Sequence, residues 1–275
     1  MIRFEHTVFA LPFAYLGAFL ASRGIPDLRQ SLWILAAMVG ARSAAMAFNR
    51  LVDRRYDALN PRTADRALPR SRVTPGFVLI FTAAGAALFV FSARMLNPLA
   101  FSLSPVALAV ILGYSYTKRF TSLSHLFLGL ALAIAPVGGW VAVSGELQIE
   151  PFTLALAVFF WVAGFDIIYS CLDADFDARY KLFSIPARFG IAGALRISAA
   201  LHVLMVAALI ASVVVSGLSV LSWAAVVVVS GILVYEHSLV KPDDLGCANV
   251  AFFTANSIIS VTLLILIGLD LCLFV

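Results

Sequence analysis

The chain has 275 residues, and its composition is unusual for a water-soluble protein. Hydrophobic residues make up 62% of the sequence and charged residues only 12%, with a mean hydropathy of +1.00. Soluble domains carry about 25% charged residues, so this chain has too few charges to cover a globule in water. Composition therefore excludes a soluble globular domain and favours an outer surface that faces a lipid bilayer. We expect no nucleic-acid partner and find no sign of an obligatory protein partner.

Apolar stretches recur along the chain at the length of a membrane-spanning helix, which needs about 20 mostly apolar residues. The apolar runs 226–229 and 258–267 do not alternate in polarity as the strands of a membrane barrel do. The pattern predicts an all-α, polytopic membrane protein with about nine transmembrane helices in a single domain over residues 1–275. The nine stretches are 6–22, 31–49, 76–92, 98–114, 123–143, 152–171, 190–214, 219–238 and 248–274.

The basic residues predict which end of each stretch faces the cytoplasm. Lys and Arg accumulate in the cytoplasmic loops of membrane proteins. With the N-terminus placed inside, 14 of the 19 basic residues fall on the cytoplasmic side and 3 on the other. We therefore predict a cytoplasmic N-terminus, in the cell inner (cytoplasmic) membrane. Six of the 15 acidic residues lie in only two loops on the same side, so we expect the active site to face the cytoplasm.

The first acidic cluster closes the second apolar stretch. Asn49, Asp53 and Asp57 follow one another at intervals of four residues. Positions i, i+4 and i+8 of a helix lie close to one face, so their oxygen atoms can converge. An Asn-Pro turn follows, and we expect Arg62 and Arg66 to reach back over this cluster.

The second acidic cluster closes the sixth stretch. Asp166, Tyr169, Asp173 and Asp177 stand at positions i, i+3, i+7 and i+11, which again predicts one helical face. Asp166 lies several residues inside the apolar stretch, and carboxylates at that depth are costly and usually functional.

Converging carboxylates at a membrane boundary repel one another and need a counter-charge. Mg²⁺ commonly binds one or two carboxylates together with substrate phosphates, so two such clusters favour two ions bridged by a diphosphate. Charged helix ends are often merely solvated, but two clusters of similar spacing favour metal binding. A third polar segment contains Tyr114, Lys118 and Arg119, whose cations could contact phosphate or serve only as topology signals.

Together these motifs resemble the UbiA superfamily of intramembrane prenyltransferases, and the resemblance extends over essentially the whole chain. The motifs are N-x-x-x-D-x-x-x-D at 49–57, N-P-R-T-x-x-R at 60–66, Y-x-x-x-K-R at 114–119 and D-x-x-Y-x-x-x-D-x-D-x-D at 166–177.

The resemblance implies a UbiA-like bundle and an Mg²⁺-dependent transfer of a polyprenyl group from polyprenyl diphosphate to an aromatic acid. Its catalytic carboxylates would be Asp53, Asp57, Asp173 and Asp177, with Asn49 as a further metal ligand and Asp175 accessory. The residues implied to bind substrate are Asn49, Arg62, Arg66, Tyr114, Lys118, Arg119, Asp166, Tyr169 and Arg42.

Three further segments are similar to the bacterial 4-hydroxybenzoate branch of the superfamily and to its menaquinone-pathway relatives, whose acceptor is 1,4-dihydroxy-6-naphthoate. They are 5–13, 44–53 and 184–190. His6 stands where many relatives carry Lys. Both acceptors are aromatic carboxylates, and Arg42 is a candidate for binding the carboxylate or for a buried ion pair within the bundle. We favour the menaquinone type.

Three alternatives have different signatures. A transporter would place its ionisable groups near the membrane midplane, whereas these acids lie at one face. A CDP-alcohol phosphotransferase resembles this pattern in its spaced aspartates, but its motif contains an Asp-Gly that neither cluster has. A haem-directed farnesyltransferase belongs to the same superfamily, and the similarity to the aromatic branch disfavours it.

Overall fold

A computed structural model describes residues 7–274 and is helical throughout, with no strand among those residues. Residues 5 and 6 of the segment 5–13, which include His6, lie outside the described residues. Short non-α turns interrupt the helices at three places, which are 3₁₀ helices at Tyr114–Arg119 and Cys171–Asp173 and a π-helical turn at Ala251–Ala255. The helices are α1 (Thr7–Ser22), α2 (Leu28–Val52), α3 (Arg54–Leu59), α4 (Pro75–Leu96), α5 (Pro98–Gly113), α6 (Ser124–Ser144), α7 (Glu150–Ser170), α8 (Ala174–Arg179), α9 (Ile185–Val215), α10 (Val220–Ser238), α11 (Ala248–Val250) and α12 (Asn256–Leu273).

The predicted all-α membrane bundle is confirmed. Among the described residues, eight helical segments are long and apolar enough to cross a membrane. The first predicted stretch forms α1, which has 16 residues with Pro12 inside it and is the shorter, ninth apolar helix. Gly190, at φ 72°, interrupts α9, so the regular part of that helix begins at the predicted start of the seventh stretch.

The core of the bundle surrounds α7, where Trp161, Val162 and Ala163 are fully buried. Helix α1 packs closely against α6, and this contact depends on glycine. A Cβ atom added at Gly139 would lie 1.8 Å from the carbonyl oxygen of Ala14. Small residues that let helix backbones approach are typical of membrane bundles, where apolar burial alone does not drive association.

The helices that carry the acidic clusters are less regular than predicted. The α-helix of the first cluster ends at Val52, Asp53 caps it, and α3 begins at Arg54. In the second cluster the chain passes through the 3₁₀ turn Cys171–Asp173 before α8 begins. The prediction that each cluster occupies one face of a continuous helix is therefore wrong. Each break changes the direction of the chain, so the carboxylates that follow it do not stand where a continuous helix would place them.

One buried carboxylate supports the bundle far from these clusters. Asp270 on α12 is fully buried, and its oxygens accept hydrogen bonds from the backbone N–H groups of Ser219 and Leu221 and from the hydroxyl of Ser222. Helix α10 has no side-chain cap of its own. Asp270 thus satisfies the orphan N–H groups at the start of α10, where lipid cannot replace them.

We expect Asp270→Ala to lower the free energy of unfolding by about 2 kcal/mol, because charged capping bonds are lost without replacement. For a chain of this size that corresponds to a fall in Tm of about 4–8 °C. Thermal unfolding in detergent measures the effect, with the exposed Asp243→Ala as the matched control. Equal transitions for the two variants would contradict the capping role.

Candidate active site

The two acidic clusters and the Tyr114–Arg119 segment line a single polar cavity of about 220 Å³. Its charged side chains comprise five carboxylates and four cations. They are Asp53, Asp57, Asp166, Asp173 and Asp177, with Arg62, Arg66, Lys118 and Arg119. Asn49 and Tyr114 also line this cavity, whereas Asp175 is exposed and does not. The segments that place these groups are far apart in sequence and meet only through packing of the bundle.

In the first cluster, each carboxylate is paired with an arginine. The Nδ2 atom of Asn49 donates to Asp53 at 3.1 Å, and Arg119 donates to the other oxygen of Asp53 at 3.1 Å. Arg66 reaches back to Asp57 at 2.6 Å, as the sequence predicts.

Arg62 crosses to the second cluster instead. It donates to both carboxylate oxygens of Asp173 and to the hydroxyl oxygen of Tyr169, the latter at 2.6 Å. The prediction that Arg62 folds over the first cluster is therefore wrong, because the turn after Asn60 carries it across the cavity. Tyr169 stands behind Arg62 and is not part of the cavity lining.

Sequence reasoning missed Asn60, which it treated only as a turn residue. Asn60 is buried, and its Nδ2 atom donates to Asp173 at 2.9 Å. Its Oδ1 atom accepts the backbone N–H of Arg62. The role of Asn60 could not be recognised from the sequence, because its partner Asp173 lies 113 residues away along the chain.

Burial changes the proton affinity of groups at the cavity rim. Burial raises the pKa of the Asp53 carboxyl, and the charges of Arg119 and Lys118 and the hydrogen bond from Asn49 offset this only in part. For Arg62, the loss of solvation is outweighed by its hydrogen bond and charge interaction with Asp173, and the pKa of the guanidinium is raised. Arg62 therefore remains a fixed cation in the cavity.

The carboxylate oxygens fit a divalent metal site that is not fully assembled. The Oδ2 atoms of Asp57 and Asp177 are buried and have no hydrogen-bond partner, and both residues line the polar cavity. Buried oxygens with unused acceptor capacity suit a hard cation. Among residues 7–274, no three acidic, His or Cys side chains already converge as metal ligands. The carboxylates of Asp53, Asp57 and Asp173 are each paired with an arginine instead.

Asp166 is held by a histidine of α6, His125. His125 is fully buried, and its Nδ1 atom lies 2.6 Å from Oδ2 of Asp166. Its Nε2 atom accepts the backbone N–H of Ile185 at 3.4 Å. An N–H group can only donate, so the network assigns the ring proton to Nδ1, facing Asp166. The histidine is buried and hydrogen-bonded, and it orients a carboxylate of the cavity.

A second, apolar cavity of about 370 Å³ adjoins the polar one, and the two share Asn49, Tyr114 and Leu128 as lining residues. One stripe of α2 lines it from Ile34 to Arg50, which is about 24 Å of helix at 1.5 Å per residue. The cavity therefore extends over most of the thickness of a bilayer core, about 30 Å.

Arg42 lies within this apolar stripe, about two turns from Asn49. Its Nε atom is buried and has no hydrogen-bond partner. A guanidinium with an unsatisfied donor in an apolar cavity is suited to bind an anionic group of a ligand.

The comparisons with known proteins agree with this geometry. Residues 10–258 match the model of the UbiA prenyltransferase family. The fold is similar to that of a UbiA homolog from Aeropyrum pernix K1, with a TM-score of 0.85, 37% identity and coverage of 98% of both chains. The chain therefore belongs to the UbiA prenyltransferase family, and the transporter and CDP-alcohol phosphotransferase alternatives fall away.

More distant and partial relatives extend the comparison. A UbiA homolog from Archaeoglobus fulgidus bound to GPP and Mg²⁺ has the same fold, with a TM-score of 0.75, 21% identity and coverage of 96% of this chain and 95% of that one. The 4-hydroxybenzoate octaprenyltransferase of Methylobacillus flagellatus is 33% identical over 63% of this chain. The protoheme IX farnesyltransferase of Azotobacter vinelandii is 43% identical over 53%. The matches span 59% and 50% of those two relatives' lengths.

Proposed function

We propose that this protein transfers a polyprenyl group from polyprenyl diphosphate to a hydroxylated aromatic carboxylate. The observation that carries the proposal is the junction of the two cavities at Asn49 and Tyr114. A charged cavity that opens into an apolar channel of membrane depth matches a substrate with a diphosphate head and a long hydrocarbon tail. The polar site would bind the head while the tail remains in an apolar environment.

Mg²⁺ is the proposed cofactor. Asn49, Asp53 and Asp57 on one side and Asp173 and Asp177 on the other would hold it, and it would neutralise charge on the departing diphosphate. The buried Oδ2 atoms of Asp57 and Asp177, which have no hydrogen-bond partner, support this assignment. The GPP- and Mg²⁺-bound relative supports it by fold similarity.

The cations of the cavity have a defined role in this proposal. Arg62, Arg66 and Arg119 each pair with one carboxylate in the ligand-free cavity. With the carboxylates engaged by Mg²⁺, these arginines and Lys118 would be available to bind phosphate oxygens. The C–O bond of the allylic diphosphate then breaks, and its electron pair leaves with the diphosphate. Preorganised cations stabilise that developing negative charge.

The acceptor completes the reaction at the apolar side of the junction. An electron-rich ring carbon bonds to the allylic carbon, and the ring then loses a proton to restore aromaticity. Arg42 would bind the carboxylate of the acceptor, with Asp166 and Tyr114 contacting substrate at the cavity junction. The two acceptors to distinguish are 4-hydroxybenzoate and 1,4-dihydroxy-6-naphthoate, the latter being the expected preference.

A second candidate acceptor is haem, which the 43% identity to a protoheme IX farnesyltransferase favours. The match to 4-hydroxybenzoate octaprenyltransferases covers a larger share of this chain. Arg42 in the apolar cavity gives a hydroxylated aromatic carboxylate its anchoring group, so we retain that class as the proposed acceptor.

The proposal places the enzyme as a single domain in the cytoplasmic (inner) membrane, with the polar cavity open to the cytoplasm. The excess of basic residues on that side supports this orientation.

A direct assay tests the function. Purified protein in detergent receives Mg²⁺, a long-chain prenyl diphosphate and one acceptor at a time, chosen from 4-hydroxybenzoate, 1,4-dihydroxy-6-naphthoate and haem. We expect a prenylated aromatic acid that forms only with divalent metal present, detected by mass spectrometry. Product with haem alone would reassign the acceptor, and no product with any acceptor would refute the proposed function.

A further inference from the structure

A buried polar network lies within the bundle and is not part of either cavity's charged lining. It joins side chains of α7, α9, α10 and α12. Its members are Trp161, His202, Glu236, His237 and Asn256. Glu236 and Asn256 are fully buried. Polar groups at this depth are costly unless they make necessary contacts, and the reaction proposed above uses none of them.

Glu236 orients Asn256. The Oε1 atom of Glu236 accepts a hydrogen bond from Nδ2 of Asn256 at 3.0 Å, and Oδ1 of Asn256 accepts the indole N–H of Trp161 at 2.6 Å. These two bonds assign which end of the Asn256 amide faces which partner. The amide is therefore fixed from both sides.

Two histidines, His202 and His237, complete the network next to Glu236. The Nε2 atom of His202 lies 3.3 Å from the carbonyl oxygen of Trp161, which can only accept, so that nitrogen carries a proton. Its Nδ1 atom lies 2.9 Å from Nε2 of His237, so one of these two nitrogens donates a hydrogen bond to the other. The Nδ1 atom of His202 also lies 4.0 Å from the Oε2 atom of Glu236, which is too far for a hydrogen bond, and that oxygen has no hydrogen-bond partner.

Asn256 in turn holds the π-helical turn that precedes α12. Its Nδ2 atom also lies within hydrogen-bond distance of the carbonyl oxygens of Ala251 and Phe252, at 3.1 and 3.2 Å. The backbone N–H of Asn256 bonds to Phe253 rather than to either of these carbonyls. A π turn leaves carbonyls displaced from the regular ladder, and inside a membrane the protein itself must satisfy them.

The π turn carries a ring that belongs to the active site. Phe252 lines the apolar cavity beside Phe165, with ring centroids 5.3 Å apart. The ring of Phe252 also stacks on Tyr169 at 4.1 Å and 25°, and Tyr169 accepts the hydrogen bond from Arg62 described above. The π turn thus places Phe252, which lines the apolar cavity and also packs on Tyr169, the hydrogen-bond partner of Arg62 in the polar cavity.

We propose that Glu236 and Asn256 are positioning residues that hold the π turn, so that Phe252 closes the apolar cavity and supports Tyr169 and Arg62. This inference rests on the proposed function for its kinetic readout. The feature that matters is the acceptor oxygen of Glu236 rather than its charge, because Asn256 needs only an oxygen to receive its N–H.

Three variants separate positioning from general stability. Glu236→Gln keeps the oxygen that accepts from Asn256, Glu236→Ala removes it, and Asn256→Ala removes the bonds to the π turn. Asp270→Ala is the matched control, because it removes an equally buried carboxylate that caps α10 without touching the π turn. We expect kcat/KM for prenyl transfer to fall about 10–100-fold in Glu236→Ala and Asn256→Ala. The kcat/KM of Glu236→Gln is expected to stay within about 3-fold of that of the unsubstituted protein. The folded fraction of Asp270→Ala is expected to have the same kcat/KM as the unsubstituted protein.

A double-mutant cycle between Asn256 and Phe252 distinguishes positioning of Phe252 from a general structural role. If Asn256 acts through Phe252, then Phe252→Ala and Asn256→Ala cost less together than the product of their separate effects, because they remove the same contact. Multiplicative effects, or equal losses in Glu236→Gln and Glu236→Ala, would overturn the proposal.

Hydrogen exchange separates this inference from the proposed function. Without substrate, we expect faster amide exchange across residues 251–256 in Glu236→Ala and Asn256→Ala than in the unsubstituted protein or Glu236→Gln. If the unsubstituted protein transfers no prenyl group, the proposed function fails while the exchange data still decide the role of the network. Unchanged exchange in both alanine variants would overturn the positioning role regardless of activity.

Discussion

Alanine at Asp53 or at Asp173 is expected to reduce prenyl transfer by more than about 10³-fold, because each removes a charge-stabilising ligand from one side of the diphosphate site. Each change also frees an arginine, Arg119 or Arg62, that is paired with the lost carboxylate. Initial rates at saturating substrate measure the loss. Calorimetric titration of Mg²⁺ in the presence of an unreactive prenyl diphosphate analogue is expected to show weakened metal binding in both variants.

The matched control lies between the second-cluster residues. Asp175 has the same charge and the same chain segment, but it is exposed and does not line the polar cavity. Asp175→Ala is therefore expected to retain activity within about 2-fold, as surface substitutions away from a site normally do. Full activity in Asp53→Ala or Asp173→Ala, with the protein folded by circular dichroism, would remove the basis of the metal assignment.

The second large effect is expected at Arg42. Arg42→Ala should raise the KM for 4-hydroxybenzoate or dihydroxynaphthoate about 10–100-fold, because a charge-assisted hydrogen bond to the acceptor carboxylate contributes about 1.5–3 kcal/mol. The KM for the prenyl diphosphate should change little, since Arg42 does not line the polar cavity that is proposed to bind the diphosphate. Steady-state kinetics with one substrate varied at a time separates the two constants.

A substrate change provides the control for this prediction. A phenolic acceptor that lacks the carboxylate should be a poor substrate for the unsubstituted protein and lose little further activity in Arg42→Ala. Arg42→Lys should recover part of the loss, because Lys keeps the charge without the planar pair of donors. Equal losses with both acceptors would assign Arg42 to packing of the bundle instead.

The membrane architecture and the charged residues of the polar cavity could be predicted from the sequence because both leave local signals. Apolar length predicts spans, and the four-residue interval of Asn49, Asp53 and Asp57 brings oxygen atoms to neighbouring positions even though the helix breaks at Asp53. Asp166 is recognisable because a carboxylate inside an apolar stretch is rare. These signals depend only on neighbours along the chain.

The pairings across the bundle could not be predicted in this way. Arg62 meets Asp173 across 111 residues of sequence, and His125 meets Asp166 across 41. The charge of Arg62 predicts a carboxylate partner, but the sequence does not indicate which one. The packing of the helices determines which carboxylate lies next to Arg62. Glu236 lies at the end of α10, where nothing in the local sequence indicates burial, yet it is fully buried beside Asn256 of α12.

The arginine–carboxylate pairs of the polar cavity also have a consequence for selectivity. In the proposed site, a free metal ion that binds Asp53 or Asp173 would compete with the arginine paired with that carboxylate, whereas a bare diphosphate would have to detach arginines from carboxylates that then repel it. Only the two ligands arriving as one complex satisfy both sets of charges at once. If the proposed site is correct, the resting protein would therefore bind isolated cations and uncomplexed anions less well than their complex, and neither alone would be a strong inhibitor.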